Sequence, residues 1–119
     1  MIMKHFDLSE FDSPDEPGSG KNMDGVLLEM LDQAREYAGI PFNINSGFRS
    51  KTHNARVGGV EDSSHTKGHA VDISCRDSRS RWLIVNALMI AGFNRIGIAS
   101  TFIHVDNDPT KDENVIWKY

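Results

Sequence analysis

The stretch that decides the fold is Arg95-Ile96-Gly97-Ile98-Ala99-Ser100-Thr101-Phe102-Ile103-His104-Val105-Asp106, followed beyond the turn Asn107-Asp108-Pro109 by Val115-Ile116-Trp117-Lys118-Tyr119. Its three strand-like runs, 95–98, 102–106 and 115–119, stand too close together for helical crossovers and so predict an antiparallel sheet. Working back toward the N-terminus, Asp77 or Ser78 caps a helix through Trp82, Leu83, Val85, Leu88 and Met89 that stops at Gly92. Apolar on most sides, this helix is expected to be largely buried. Before it, His69-Ala70-Val71-Asp72-Ile73-Ser74 reads as a strand with small or apolar residues between polar ones. Residues 52–57 suit one or two helical turns ahead of the break at Gly58-Gly59, and Phe42-Asn43-Ile44-Asn45 alternates as a short half-buried strand does.

Further back, Met23, Val26, Leu27, Met30, Leu31, Ala34 and Ala38 keep the i, i+3, i+4, i+7 rhythm of an amphipathic helix, with Asn22 as its cap and Gly39 and Pro41 as its end. The first twenty residues close on Ser13-Pro14-Asp15-Glu16-Pro17-Gly18-Ser19-Gly20, punctuated too often for a regular element, and read as an arm or loop. Helix, strand, helix and clustered strands together define an α+β fold: one domain over residues 1–119, a small antiparallel sheet with flanking helices.

Composition narrows the chemistry. The 119 residues carry 13 basic and 17 acidic side chains, a formal net charge of −4, with no Lys/Arg block, which argues against a nucleic-acid partner. No run nears the roughly 20 apolar residues that span a bilayer, so no membrane partner is expected. The N-terminus shows no apolar signal segment behind a positive one, and a cytoplasmic product acting as a monomer is expected. A single cysteine, Cys75, excludes an internal disulfide and a cysteine zinc cage, and it reads as a small buried residue. Any metal must therefore be held by nitrogen and oxygen, which directs attention to His5, His53, His65, His69 and His104.

In Ser63-Ser64-His65-Thr66-Lys67-Gly68-His69-Ala70-Val71-Asp72 a loop histidine precedes an aspartate on a strand, and far downstream His104 and Asp106 share one face of a strand whose other face carries Ile103 and Val105. Two imidazoles and a carboxylate suit Zn²⁺ and leave a fourth tetrahedral position open. Taken singly, His65, Asp72 and His104 each read better as a capping, loop or turn residue. Ser46 and Ser63 read as turn-fixing, His53 as a structural loop residue and His5 as solvated.

Several ordered motifs go further. Ser46-Gly47-Phe48-Arg49-Ser50, His53-Asn54, Val57-Gly58-Gly59, then Ser63, His65, Gly68, Ala70 and Asp72 as Ser-x-His-x-x-Gly-x-Ala-x-Asp, and finally His104-Val105-Asp106 resemble the M15 metallopeptidases, the zinc D-Ala-D-Ala carboxypeptidase and phage endolysin type, over residues 40–110. The resemblance implies the α+β fold shared with the hedgehog signalling domain, Zn²⁺ as cofactor, His65, Asp72 and His104 as its ligands, and Arg49 as the group that holds a substrate carboxylate. It also implies peptide-bond hydrolysis in peptidoglycan stem peptides, and a lysis enzyme that reaches the wall through a holin. The chain departs from the family pattern at the general base: 97–103 offers no acid or histidine just before His104. Asp106, aimed to the same side as His104, is the first candidate to accept the water proton, with orientation of a ligand imidazole as its other role. His69 is the second candidate. A catalytically silent zinc-binding module is the alternative reading of the whole chain.

Overall fold

β4 (Phe102–Asp106) lies at the centre of the sheet. In the computed structural model, which describes residues 2–119, β4 pairs antiparallel with β2 (Ala70–Ser74) from Ala70↔Asp106 to Ser74↔Phe102, and on its other side with β3 (Arg95–Ile98). β1 (Ile44–Ser46) extends the sheet beyond β2, and β5 (Val115–Lys118) extends it beyond β3, giving the order β1-β2-β4-β3-β5. Val71, Ile73, Ile96, Ile103 and Val105 are buried on one face, while Asp72, His104 and Asp106 alternate to the other.

β5 runs parallel to β3 instead of antiparallel, with Arg95↔Val115 through Ile98↔Lys118 in register. The reason is geometric. β4 ends beside Arg95, and residues 107–114 carry the chain past that end of β3, so the return strand opposes β4 and therefore follows β3. No helix is needed, because the connection never has to cross the length of the sheet.

Two helices cover the apolar face. α1 (Gly25–Ala38) buries Leu27, Leu28, Leu31, Ala34 and Ala38. Its cap is Asp24, whose carboxylate accepts from the Leu27 amide at 3.0 Å, and not Asn22, which belongs to a 3₁₀ turn over Ser19–Asn22. Gly39 ends it in the left-handed conformation, φ 69°. Of the two candidate caps, α3 (Ser78–Ile90) starts on Asp77, whose carboxylate accepts from the Ser80 amide. It is less buried than its apolar composition suggests. Ile84, Ala87 and Leu88 form its buried stripe, whereas Trp82 is 65% exposed, since among the described residues no further layer lies over the outer side. The short α2 (Lys51–Arg56) rests on Ser50, whose hydroxyl accepts from the His53 amide.

The N-terminal segment contains no long element, but it is packed. A 3₁₀ turn over Leu8–Phe11 delivers Phe11 to full burial, edge-on to Phe6 at 5.5 Å. The Phe11 carbonyl accepts from the Phe48 amide at 2.9 Å, which ties the segment to the loop that carries Arg49. Phe11→Ala is expected to cost about 3–5 kcal/mol in urea unfolding, the loss of a large core side chain. A cost below about 1 kcal/mol would show that the segment is not part of the core.

Candidate metal centre

One row across the sheet builds most of the site. Ser46 faces Asp72, Asp72 faces His104, His104 faces Gly97, and Gly97 faces Trp117, all on the face away from the helices. His65 comes from outside the sheet, on a 3₁₀ turn over Ser64–Lys67. The Ser63 hydroxyl accepts from the His65 amide to start that turn, and Gly68 ends it at φ 76°, where a side chain would strike the Asn22 carbonyl at 2.1 Å. Ser63 and Gly68 thus aim His65 back over β2.

The Gly47 carbonyl fixes which nitrogen of His65 is free. His65 Nδ1 lies 2.8 Å from the Gly47 carbonyl, which can only accept, so Nδ1 carries the proton and Nε2 presents a lone pair 3.3 Å from Asp72 Oδ1. His104 Nε2 lies 2.7 Å from Asp106 Oδ2 and its Nδ1 lies 2.9 Å from Asp72 Oδ1. Burial works to raise the Asp72 pKa, but the neighbouring His104 and His65 imidazoles outweigh it and hold the carboxyl below the usual carboxylate range. At His104 burial works downward, and the Asp106 and Asp72 carboxylates reverse it, raising the imidazole above its ordinary value. One donor atom from each of His65, Asp72 and His104 lies within 4.8 Å of the other two, and all three residues are buried. Two nitrogen lone pairs and a carboxylate oxygen converging in this way suit a small divalent cation of the zinc type.

Asp106 stands behind His104. It is 2% exposed and accepts from Arg95 Nε at 2.6 Å and from the Asp108 amide at 3.2 Å on Oδ1, with His104 on Oδ2. Burial pushes its pKa up, but His104 and Arg95 bring it below the ordinary carboxylate value. Arg95 also lies 5.1 Å from the Trp117 ring centroid, and the Trp117 ring lies tilted against His104 with centroids 5.5 Å apart. Gly97 makes room for this: a Cβ there would sit 2.7 Å from the indole. Arg49 is held on the other flank, with Nε to Ser46 Oγ at 3.0 Å, Nη1 to Asn54 Oδ1 at 3.2 Å and Nη2 to Asp72 Oδ2 at 3.4 Å. A cleft of about 370 Å³ opens over the donors, walled by Arg49, the 57–60 loop, Phe102, Lys111, Trp117 and Tyr119.

A family model described as Peptidase M15 matches residues 5–106. The chain belongs to the Peptidase M15 family. The zinc D-Ala-D-Ala carboxypeptidase of Streptomyces albus G is 39% identical over 56 residues, 47% of this chain and 22% of that relative's length. The family and this relative point to Zn²⁺ as the metal, and His65, Asp72 and His104 form a matching candidate site.

Of the other residues that the sequence singles out in this M15 chain, His69 bonds Asn107 at 2.7 Å and is not part of the cleft wall. His53 borders a neighbouring hollow with Asn45, Ser46 and Arg49, His5 pairs with Glu36, and Cys75 is buried. Sequence reasoning missed Lys111, Trp117 and Tyr119. Alternation along 115–119 puts Trp117 and Tyr119 on one face, but only the parallel pairing with β3 brings that face to His104. Gly97→Ala is expected to displace Trp117, shift its fluorescence and weaken zinc binding about tenfold in a chelator competition. Unchanged emission together with unchanged affinity would show that Trp117 does not steady His104.

Proposed function

We propose that this M15 chain is a zinc-dependent peptidase acting on peptidoglycan stem peptides, of the D-Ala-D-Ala carboxypeptidase or L-Ala-D-Glu endopeptidase type. The observation that carries the reading is the convergence of His65 Nε2, His104 Nδ1 and Asp72 Oδ1 at the floor of an open cleft, each fixed by a partner behind it. A zinc ion bound there would supply Lewis acidity, activating water near neutral pH and polarising a carbonyl. Streptomyces albus G's zinc D-Ala-D-Ala carboxypeptidase supports the substrate class.

The chain's own residues then divide the remaining work. His65, Asp72 and His104 hold the metal. Arg49 uses three of its five N–H groups on Ser46, Asn54 and Asp72, so the other two are free to grip a substrate carboxylate across the cleft. Asp106 acts as a positioning residue for His104: both its oxygens are engaged and it does not line the cleft, which favours orientation of the imidazole over proton acceptance.

Digestion of purified peptidoglycan, read as released peptide fragments, tests the proposal. Activity is expected to vanish on complete zinc removal, to return on adding zinc, and to be lost in His65→Ala together with stoichiometric zinc. Activity that survives full removal of the metal would overturn the peptidase mechanism, and stoichiometric zinc with no fragment release would identify a non-catalytic zinc module. Asp106→Asn, which removes the carboxylate's basicity, separates its two roles by whether zinc rescues the loss. A positioning role predicts about tenfold weaker zinc affinity with the rate largely restored at saturating zinc. Loss of a general base predicts a drop of about 10²–10⁴ that zinc does not rescue.

A further inference from the structure

Lys111 carries a charge that the fold itself does not consume. It sits in the 107–114 connection, where its Nζ donates to the Asp62 carbonyl at 3.2 Å and stands 3.9 Å from Asp108 Oδ2. Asp108 needs no second cation. Its buried carboxylate already accepts from Ser64 Oγ at 2.7 Å, Lys67 Nζ at 3.0 Å, the Thr110 amide at 3.0 Å and Thr110 Oγ1 at 2.7 Å. The ammonium has three N–H groups, and the Asp62 carbonyl takes one at hydrogen-bond distance.

Lys111 lines the cleft. The cleft wall holds two cations, Arg49 and Lys111, against one carboxylate, Asp72, in a chain whose net charge is −4. Arg95 and Asp106, paired with each other, lie behind that wall. A positive hollow in a negative molecule concentrates anionic ligands, and apolar walls strengthen the attraction by lowering the local dielectric. Trp117 and Tyr119 supply such a wall, with Tyr119 set against Phe102 at 5.2 Å between ring centroids. Lys111, Trp117 and Tyr119 all lie beyond residue 106, outside the span that the family model matches.

We propose that Lys111 is a specificity residue, which holds a carboxylate of the substrate through its free N–H groups beside the Trp117 and Tyr119 wall. As far as the ligand is a peptide substrate, this rests on the peptidase reading. Two probe pairs test it on the zinc-loaded full chain, with affinities from NMR titration. N-acetyl-D-alanine against its amide reports a terminal carboxylate, and the α-amide of N-acetyl-D-glutamate against that of N-acetyl-D-glutamine reports a side-chain one. The wild type is expected to prefer the acid in at least one pair. Lys111→Gln should reduce that acid-over-amide ratio about fivefold, Lys111→Arg should keep it within about twofold, and Lys111→Glu should lower it further. Equal affinities in the wild type, or a Lys111→Gln loss shared equally by acid and amide, would overturn the assignment. An acid preference that depends on Lys111 in a protein that releases no peptidoglycan fragments would uphold Lys111 as the anion anchor while overturning the peptidase reading.

Discussion

A carboxylate buried in the middle of a sheet must be neutralised, and the way Asp72 meets that requirement organises the rest of this molecule. Its Oδ1 faces two imidazoles and its Oδ2 faces Arg49, so three separate parts of the chain are recruited to one side chain. The β2–β4 register sets His104 directly opposite, a 3₁₀ turn lowers His65 from above, and the loop after β1 brings Arg49 from the side. Desolvation of Asp72 is costly when uncompensated, which is why a chain that builds this arrangement must place every partner within hydrogen-bonding reach.

Support behind the donors is as ordered as the donors themselves. Gly47 holds His65 through a backbone carbonyl, Asp106 holds His104, Arg95 holds Asp106, and Trp117 lies across both His104 and Arg95. Such backing fixes ring orientation and tautomer, the two properties on which a metal ligand's affinity depends. The backing of His104 spans three strands, β4, β3 and β5, so the quality of the site depends on sheet pairing as much as on local sequence.

Much of this was legible in the residues. The donor trio is what the resemblance to the M15 family implies, and the shared face of His104 and Asp106 follows from period-two alternation in 102–106. α3 begins on Asp77, one of the two caps that the pattern offers. What escaped prediction depends on distance along the chain. That β5 runs parallel to β3 is decided by how residues 107–114 pass the end of the sheet, which no local pattern encodes. Shared strand face told that Asp106 points with His104, but its burial behind the ring comes from Arg95 and the Asp108 amide, contributed by other segments. The packing of Phe6 and Phe11 was masked by a run of turn formers that, in three dimensions, folds the segment onto the core.

A chain with one cysteine cannot staple itself with sulfur. The site described above offers a substitute. An ion gripped by His65, Asp72 and His104 would cross-link a surface turn to two neighbouring strands, and because these donors meet only in the folded chain its binding free energy would add to folding stability. In this small domain the same three side chains would then serve as both reactive centre and topological clasp, and chemistry and endurance would be lost or kept together.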